Sequence, residues 1–313
     1  MQHHRARNLY SGGDRPLLLV PCRGRQDRTS RRSRLYPAAL TLLLAAALLS
    51  GCGSNGSRRT DQLIVTGSTT LLPIAEQAAE AFHEAHPDAW VLVSGLGSSA
   101  GIEAVLSGTS DIGSSSRDLK PEEEGRGLVD IPVAFDGIAV IVNPSNPVDE
   151  LSTAQLRDIY AGAITNWSQV GGVDRKIDLV NRDEASGTRE AFKKIVMTDD
   201  AKFDMSAVVL PGTGQVRDVV ARSEGAIGYI SVGFVDPRFS KTRVKALTID
   251  GVVPSEDTVA SQAYPIARTL HYFTNGEPEG LAKRYVDYVL SDEVQNGVVV
   301  DAGFVPVSSR TAK

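Results

Sequence analysis

The chain has 313 residues, of which 42% are apolar and 23% charged, a composition that excludes a disordered protein and allows two domains. Of its 33 basic and 38 acidic side chains, residues 1–51 hold nine Arg and two Asp, a net charge of +7, which leaves −12 for the remainder. A body this acidic is poorly suited to a nucleic-acid backbone, so we expect no nucleic-acid partner, and local donors must attract any bound anion.

An uncharged apolar run of twelve residues at 38–49 follows three arginines at 31, 32 and 34. Twelve residues are too few for a permanent membrane span, and a basic stretch before a short apolar run is typical of a signal peptide. We therefore expect residues 1–51 to be a signal peptide. The long stretch before the apolar run favours a translation start downstream of Met1, near Val20.

The apolar run ends in the sequence LSGC at 49–52, which resembles the bacterial lipobox, in which the cysteine is lipidated and the preceding peptide is removed. Cys52 is then the expected lipidated N-terminus. Polar residues follow it at once, so we predict a lipidated tether over 52–60. These features predict an exported protein anchored on the outer face of the cytoplasmic membrane, on the periplasmic side if an outer membrane exists.

Beyond the tether, short apolar runs alternate with helical patterns. After strand Leu63–Val65, helix Leu71–Ala85, strand Trp90–Val93 and a helix at about 101–106, the alternation continues through Ile131–Val142, Thr153–Tyr160, Ile177–Val180, Gly187–Val196, Gln215–Arg222, Ala226–Ile230 and Ala263–Phe273. Two helices, Glu279–Leu290 and Ser291–Val300, are predicted at the C-terminus. This alternation predicts the α/β class.

Three turns rich in serine, threonine and glycine stand between a predicted strand and a predicted helix, at 67–70, 97–101 and 186–188. The first turn of a helix has unpaired N–H groups and a partial positive charge, hydroxyls add donors, and glycine allows close approach. Three such turns directed at one point would enclose a tetrahedral oxyanion. Helix capping explains any single one of them equally well.

The middle turn also matches two enzyme motifs. Residues 95–100 fit the G-x-G-x-x-A pattern of dinucleotide-binding folds, and residues 97–101 fit the G-x-S-x-G nucleophile elbow. The export signal argues against a cytosolic cofactor. A hydrolase would use Ser99 as the nucleophile and His271 as the base, but the alternating run around His271 favours a core or strand-surface histidine.

The sequence predicts no cofactor and no metal site. Cys52 is the one cysteine beyond the signal peptide, so the body offers neither an intrachain disulfide nor a cysteine cluster. His83 and His86 are three residues apart on an acidic helix, a spacing that more often marks a solvated face than a metal site.

Seven short motifs resemble, in the same order, those of the phosphate-binding components of bacterial phosphate ABC importers. They are TGSTT at 66–70, GLGSSAG at 95–101, DIGSSSR at 111–117, FDGIAVIVNP at 135–144, ITNW at 164–167, NRDEASGTR at 181–189 and GAIGY at 225–229. The resemblance covers essentially the whole mature chain. It implies the type II periplasmic-binding fold, in which two α/β lobes close over a phosphate in the cleft between them.

The resemblance also implies lobe boundaries and ligand contacts. It places residues 61–142 and 257–313 in one lobe and residues 143–256 in the other. The phosphate-contacting residues that it implies, position by position, are Thr69, Thr70, Ser98, Arg182, Ser186, Gly187 and Thr188. The planar fork of Arg182 suits a phosphate edge and would supply a cation inside an acidic protein, although an ion pair with Asp183 or Glu184 is its structural alternative.

Two positions depart from the family pattern. In part of the family a carboxylate at the position of Ser116 accepts the proton of bound hydrogen phosphate, and here we expect Asp136 to replace it. An acceptor-only carboxylate would favour a protonated oxyanion over sulfate. Capping of the turn before Gly137 is the structural alternative for Asp136. Ala185 stands where the family usually has glycine.

We therefore predict a monomeric binding protein without catalysis, which captures inorganic phosphate and delivers it to the permease subunits of an ABC importer. A binding protein for another tetrahedral oxyanion, sulfate or molybdate, is the first alternative. An exported serine hydrolase that uses Ser99 and His271 is the second.

Overall fold

The computed structural model of the protein describes residues 61–198, 201–235 and 243–310. The predicted signal peptide, Cys52 and the tether lie outside these residues. Among the helices that are described, none has both the length and the apolar character needed to cross a membrane.

Strands are distributed along the whole described chain. They are β1 (Asp61–Gly67), β2 (Ala89–Gly95), β3 (Ile112–Ser115), β4 (Leu128–Val142), β5 (Glu150–Leu151), β6 (Asp178–Arg182), β7 (Val208–Leu210), β8 (Ala226–Ser231), β9 (Lys245–Ala246), β10 (Thr248–Ile249), β11 (Ala267–Asn275) and β12 (Val305–Pro306). The main sheet has the order β2-β1-β3-β11-β4-β8-β6-β7, with β9 and β12 also paired to β4, and β5 pairs with β10 separately.

Helices follow most of the strands. They are α1 (Leu72–Ala85), α2 (Ser98–Leu106), α3 (Thr153–Tyr160), α4 (Gly187–Phe192), α5 (Thr213–Arg222), α6 (Glu256–Ala260), α7 (Gly280–Val289) and α8 (Asp292–Val294). Helices α4 and α8 continue as π-helical turns over Lys193–Met197 and Gln295–Val299. The predicted α/β class is confirmed, and α2 begins at Ser98 rather than near residue 101.

Apolar spacing explains how α1 packs. Its buried residues Ile74, Ala78 and Phe82 recur every four positions, so they lie on one face and cover the sheet. Helix α3 starts at a capping box, in which Ser152 Oγ accepts from the Gln155 N–H at 3.1 Å and Gln155 Oε1 accepts from the Ser152 N–H at 2.9 Å. Local sequence therefore sets both helices.

Strand β4 joins two hydrophobic cores. Its first part pairs with β11 and its last five residues, Ile138 to Val142, pair with β8. Buried apolar residues between 63 and 134 and between 270 and 304 form one core, and we call this part of the chain body A. Two further clusters hold buried residues between 138 and 266, together with Val305, and we call that part body B. The lobe boundaries at residues 142 and 257 stay a prediction.

Gly101 allows α2 to lie directly on β1. A Cβ atom at this position would come within 2.4 Å of the Thr66 carbonyl oxygen and 2.7 Å of the Gly67 Cα. These are backbone atoms, which cannot rotate away as a side chain can. The glycine-rich segment at 97–101 indicates a turn in the sequence, which is why the predicted helix starts later than the observed one.

Replacing Gly101 by alanine is expected to lower the free energy of unfolding by about 1–3 kcal/mol, because the added methyl group overpacks the contact between α2 and β1. Urea unfolding followed by circular dichroism measures this loss. Gly297→Ala is the matched control, since nothing lies within 4 Å of a Cβ atom there. An equal stability for Gly101→Ala and the control would contradict this packing argument.

Candidate anion-binding site

The loop between β1 and α1 presents two threonine hydroxyls. Ser68 Oγ accepts from the Thr70 N–H at 3.1 Å, and the Ser68 N–H donates to the Ser114 carbonyl at 2.9 Å. Ser68 therefore holds the turn, and the hydroxyls of Thr69 and Thr70 are free to bond elsewhere. Thr70 is buried and Thr69 is half-buried.

The second turn presents two serine hydroxyls. Ser98 Oγ accepts from the Ser116 N–H at 3.0 Å, and the hydroxyls of Ser98 and Ser116 are 3.2 Å apart. Both side chains are buried. The first residue of α2 and the residue after β3 thus place two hydroxyls at one point, because β2 and β3 both pair with β1 in body A.

The third turn comes from body B and contacts the first two. Ser186 Oγ accepts from the Arg189 N–H at 3.2 Å and so caps α4. Thr188 Oγ1 lies 3.1 Å from Thr70 Oγ1. A Cβ atom on Gly187 would come within 2.2 Å of Ser98 Oγ, so the absence of a side chain there permits the close approach of the two bodies.

Arg182 enters the same region from the end of β6. Its Nη2 atom donates to Thr69 Oγ1 at 3.2 Å and to the Pro211 carbonyl at 2.8 Å, and its Nη1 atom donates to Thr213 Oγ1 at 3.1 Å. The side chain also donates to the Leu210 carbonyl, and none of these acceptors is a carboxylate. Arg182 therefore does not form the surface ion pair with Asp183 or Glu184 that was its structural alternative.

Two residues of the site were missed by sequence analysis. Thr213 begins α5, and its hydroxyl lies 3.1 Å from Thr69 Oγ1. Arg268 lies on β11, where it donates to the Ser116 carbonyl at 3.2 Å and approaches Thr70 Oγ1 at 3.4 Å. The available signals were a fourth turn with glycine and a hydroxyl residue, at 212–213, and a charged residue, Arg268, within the predicted element Ala263–Phe273.

Asp136 is bound to Arg268 rather than facing the hydroxyls. Its Oδ2 atom accepts from Arg268 Nη2 at 2.7 Å and from Nε at 3.0 Å, and its Oδ1 atom accepts from Ser231 Oγ at 2.7 Å. Burial raises the pKa of Asp136, and the charge of Arg268 opposes that rise. Both oxygens of Asp136 therefore already accept hydrogen bonds from the protein. The expectation that Asp136 accepts a proton from the ligand stays a prediction.

The buried charges leave the site positive. Burial lowers the pKa of Arg182 and of Arg268, and in each case a nearby acidic group opposes the change. Asp136 is the one acidic residue that is buried in the described part of the chain. The two buried guanidinium groups outnumber the one buried carboxylate, and the half-buried Asp183 offsets the charge of Arg182 in part. This excess of positive charge favours an anion despite the acidic protein as a whole.

Bodies A and B also contact each other beside the site. The Ser99 N–H donates to the Ala185 carbonyl at 3.1 Å, and Lys194 Nζ lies 2.9 Å from Asp118 Oδ2. The Ala185 carbonyl therefore bonds to α2, although the residue is alanine and not the glycine that is usual in the family. These bonds bring together the three turns that the sequence predicted.

The hydrolase pair is not assembled. Ser99 Oγ accepts from Arg117 Nη2 at 3.1 Å, whereas His271 Nδ1 lies 2.6 Å from Asp130 Oδ1. Within the described ranges, no hydrogen bond joins Ser99 to His271. Nor does that part of the chain contain three His, Cys, Asp or Glu side chains grouped to hold a metal ion.

The arrangement suits a small tetrahedral oxyanion. Hydroxyl groups from both bodies, on Thr69, Thr70, Ser98, Ser116, Thr188 and Thr213, lie with Arg182 and Arg268 around one region. Hydroxyls can donate or accept, and guanidinium groups donate charge-assisted hydrogen bonds. The structure thus brings the predicted residues together, and their contact with a ligand stays a prediction.

Comparisons with known proteins place these observations in a family. A profile of the PBP superfamily domain matches residues 53–293. The phosphate-binding protein PstS of Bacillus subtilis is 35% identical over 286 residues, which are 86% of this chain and 93% of that protein.

Solved structures of phosphate transport proteins are also similar to this chain. The chain is 37% identical to a phosphate ABC transporter substrate-binding protein from Clostridium perfringens, solved with bound phosphate, with a TM-score of 0.75 over 79% of this chain and 100% of the other. It is 33% identical to an ABC-type phosphate transport receptor from Vibrio cholerae, with a TM-score of 0.65 over 78% and 99% of the two chains.

Proposed function

Because the chain belongs to the PBP superfamily and, within it, to the family of the phosphate-binding protein PstS, we propose that it binds inorganic phosphate outside the cytoplasm and delivers it to an ABC importer. One observation in the structure carries this proposal. Hydroxyls from bodies A and B meet around two buried arginines, and this set of donors matches a phosphate anion.

Capture of phosphate uses both bodies. Thr69, Thr70 and Ser98 on body A and Arg182 and Thr188 on body B supply hydrogen bonds to different oxygens of one anion, and the anion neutralises the excess positive charge. The first turns of α2 and α4 add N–H groups at the same place, with Ser186 as the cap of α4 and Gly187 beside Ser98. Binding therefore stabilises the arrangement in which the two bodies touch.

Bodies A and B are proposed to be the two lobes of a hinge. Strand β4 runs from one core into the other, and β11 returns beside it, so few backbone positions need to change when the lobes separate. The resemblance implies lobes of residues 61–142 with 257–313 and of residues 143–256, whereas the cores of bodies A and B change over between residues 134 and 138 and between residues 266 and 270. Opening releases phosphate to the permease subunits.

The site of action is proposed to be the outer face of the cytoplasmic membrane. A lipid on Cys52 and a tether over 52–60 would keep the binding protein close to its permease as a monomer. The signal peptide supplies export, and phosphate transport requires no catalytic step and no cofactor from this chain. Radiolabelling with a fatty acid, lost in a Cys52→Ala variant, would test the anchor.

The two alternatives have less support. Sulfate or molybdate binding shares the chemistry of hydroxyl and arginine donors, but the relatives above are phosphate proteins by name. A serine hydrolase needs a base at Ser99, where the described structure has the Arg117 guanidinium instead.

Thermal unfolding in the presence of different anions tests the proposal. The purified protein, dialysed free of phosphate, is expected to gain several degrees in Tm with millimolar phosphate, and less with sulfate or molybdate, because a ligand that binds only the folded state stabilises it. A folded protein that phosphate does not stabilise would refute the proposed ligand. A larger gain with sulfate or molybdate would reassign it.

Ser99→Ala separates binding from hydrolysis. We expect its phosphate affinity to stay within about twofold of the wild type, because the Ser99 hydroxyl bonds to Arg117 and not to the site hydroxyls. Ser98→Ala, its neighbour, is expected to lose about 0.5–1.5 kcal/mol, or roughly 2- to 12-fold in affinity. Fluorescence titration gives both values, and an esterase activity that depends on Ser99 would contradict the proposal.

A further inference from the structure

Arg268 is a buried cation near the start of strand β11. Its neighbours Ile266 and Leu270 are both buried in the hydrophobic cores, and the Arg268 side chain itself is 4% exposed. Burying a guanidinium is costly unless it is paired and hydrogen-bonded. Such a residue in a strand interior therefore needs an explanation beyond packing.

The guanidinium of Arg268 donates both to Asp136 and to groups of the candidate site. One edge, Nε and Nη2, donates to Asp136 Oδ2, while Nη1 donates to the Ser116 carbonyl at 3.2 Å and Nη2 reaches Thr70 Oγ1 at 3.4 Å. The last distance is long for a hydrogen bond. Of the five N–H donors of arginine, the one remaining on Nη1 has no partner among the described residues.

Both oxygens of Asp136 are occupied by donors of the protein. Its side chain is fully buried, its Oδ2 atom accepts from two nitrogens of Arg268, and its Oδ1 atom accepts from Ser231, while the Val232 N–H also bonds to this carboxylate. These four bonds use the acceptor positions of a carboxylate, so a direct contact with a ligand proton would require one of them to break. This geometry indicates that Asp136 acts on Arg268 and not directly on a ligand.

We propose that Arg268 is a second phosphate-contacting cation in addition to Arg182, and that Asp136 is the positioning residue that holds its fork toward Thr70 and Ser116. The inference rests on the proposed function and identifies a further cation of that site. The hydroxyls, which can accept as well as donate, take the place of a proton-accepting carboxylate. Phosphate then serves as a second counter-ion for Arg268.

The direct test is calorimetric titration of phosphate into Arg268→Lys. Lysine keeps the charge and can still pair with Asp136, but it lacks the fork that also reaches Thr70 and Ser116. We expect phosphate affinity to fall about tenfold or more, the effect of losing one charge-assisted hydrogen bond. If this variant does not fold, the double variant Arg268→Gln with Asp136→Asn removes both charges, and the same loss is expected.

Arg117→Lys is the matched control. Arg117 is also buried, with a side chain 4% exposed, and its carboxylate partner is Glu123, but it donates to none of the site hydroxyls named above. Its phosphate affinity is expected to be unchanged. Equal affinities for wild type, Arg268→Lys and Arg117→Lys would overturn the inference. A folded wild type that gives no heat with phosphate would instead refute the proposed function.

Asp136→Asn distinguishes the positioning role from a direct contact. Without its counter-charge, Arg268 is buried and unpaired, so the Tm of the phosphate-free protein is expected to fall by roughly 6–20 °C. Phosphate supplies a new counter-charge, so it should raise the Tm of this variant more than it raises that of the wild type. A smaller phosphate-induced rise than in the wild type would show that Asp136 contacts the ligand and would overturn the positioning role.

Discussion

Replacing Arg182 by alanine is expected to weaken phosphate binding by about 2–5 kcal/mol, or roughly 30- to 5000-fold. Arg182 is buried, and its donors reach Thr69 of body A and Thr213 of body B. No carboxylate accepts from it, so its charge is available to an anion. The loss is large because a desolvated cation and a desolvated anion interact strongly where water is excluded.

Titration calorimetry with phosphate measures this loss. Arg175→Ala is the control, since Arg175 also lies in body B but is exposed and pairs with Glu224 at the surface. Surface pairs contribute little, so the affinity of the control should be unchanged. If Arg182→Ala lost no more affinity than Arg175→Ala in two equally folded proteins, Arg182 would not be a ligand residue.

Replacing Gly187 by alanine should weaken phosphate binding by about 1–3 kcal/mol, roughly 5- to 150-fold, while the ligand-free protein keeps its stability. A Cβ atom there would lie 2.2 Å from Ser98 Oγ and 2.8 Å from both Ser98 Cβ and Ser116 Oγ. Ser98 and Ser116 belong to body A, so the clash arises only where the two bodies meet.

Phosphate titration together with urea unfolding separates affinity from stability in this variant. Gly214→Ala provides the comparison, because it adds the same methyl group near the start of α5, where nothing lies within 4 Å. Its affinity and stability should match the wild type. An equal affinity in Gly187→Ala would mean that phosphate binding does not bring these two bodies into contact.

The layer pattern and three of the site turns were predictable from sequence because their signals are local. The four-residue spacing of Ile74, Ala78 and Phe82 shows in the sequence without any tertiary information. Serine, threonine and glycine at strand-to-helix junctions likewise indicate an anion site by their own chemistry. The family resemblance added which positions would contact the ligand.

The ion pair between Asp136 and Arg268 was beyond sequence reasoning. The two residues are 132 positions apart, and they meet because β4 and β11 pair in antiparallel register with Asp136 opposite Arg268. A register is set by the whole sheet and not by the residues near either strand. From the sequence alone, Asp136 is therefore expected to contact the ligand, because its pairing with Arg268 cannot be predicted.

Thr213 shows a different limit. Its glycine-threonine turn is as strong a local signal as the others, but the preceding strand β7 has only three residues, Val208 to Leu210. Too short a strand gives no clear alternation, so the turn after it was not recognised as a strand-to-helix junction. The hydrogen bond from Arg182 to Thr213 links this fourth turn to the site.

The most direct test of the account is calorimetric titration of the phosphate-free protein with phosphate, followed by the same titration in the presence of sulfate. The account predicts one phosphate per chain, because both bodies and both buried arginines converge on a single site. It also predicts that equimolar sulfate does not displace phosphate, because the site hydroxyls can accept the proton of hydrogen phosphate, which fully ionised sulfate lacks. Absence of phosphate binding by the folded protein, or displacement of phosphate by equimolar sulfate, would contradict it.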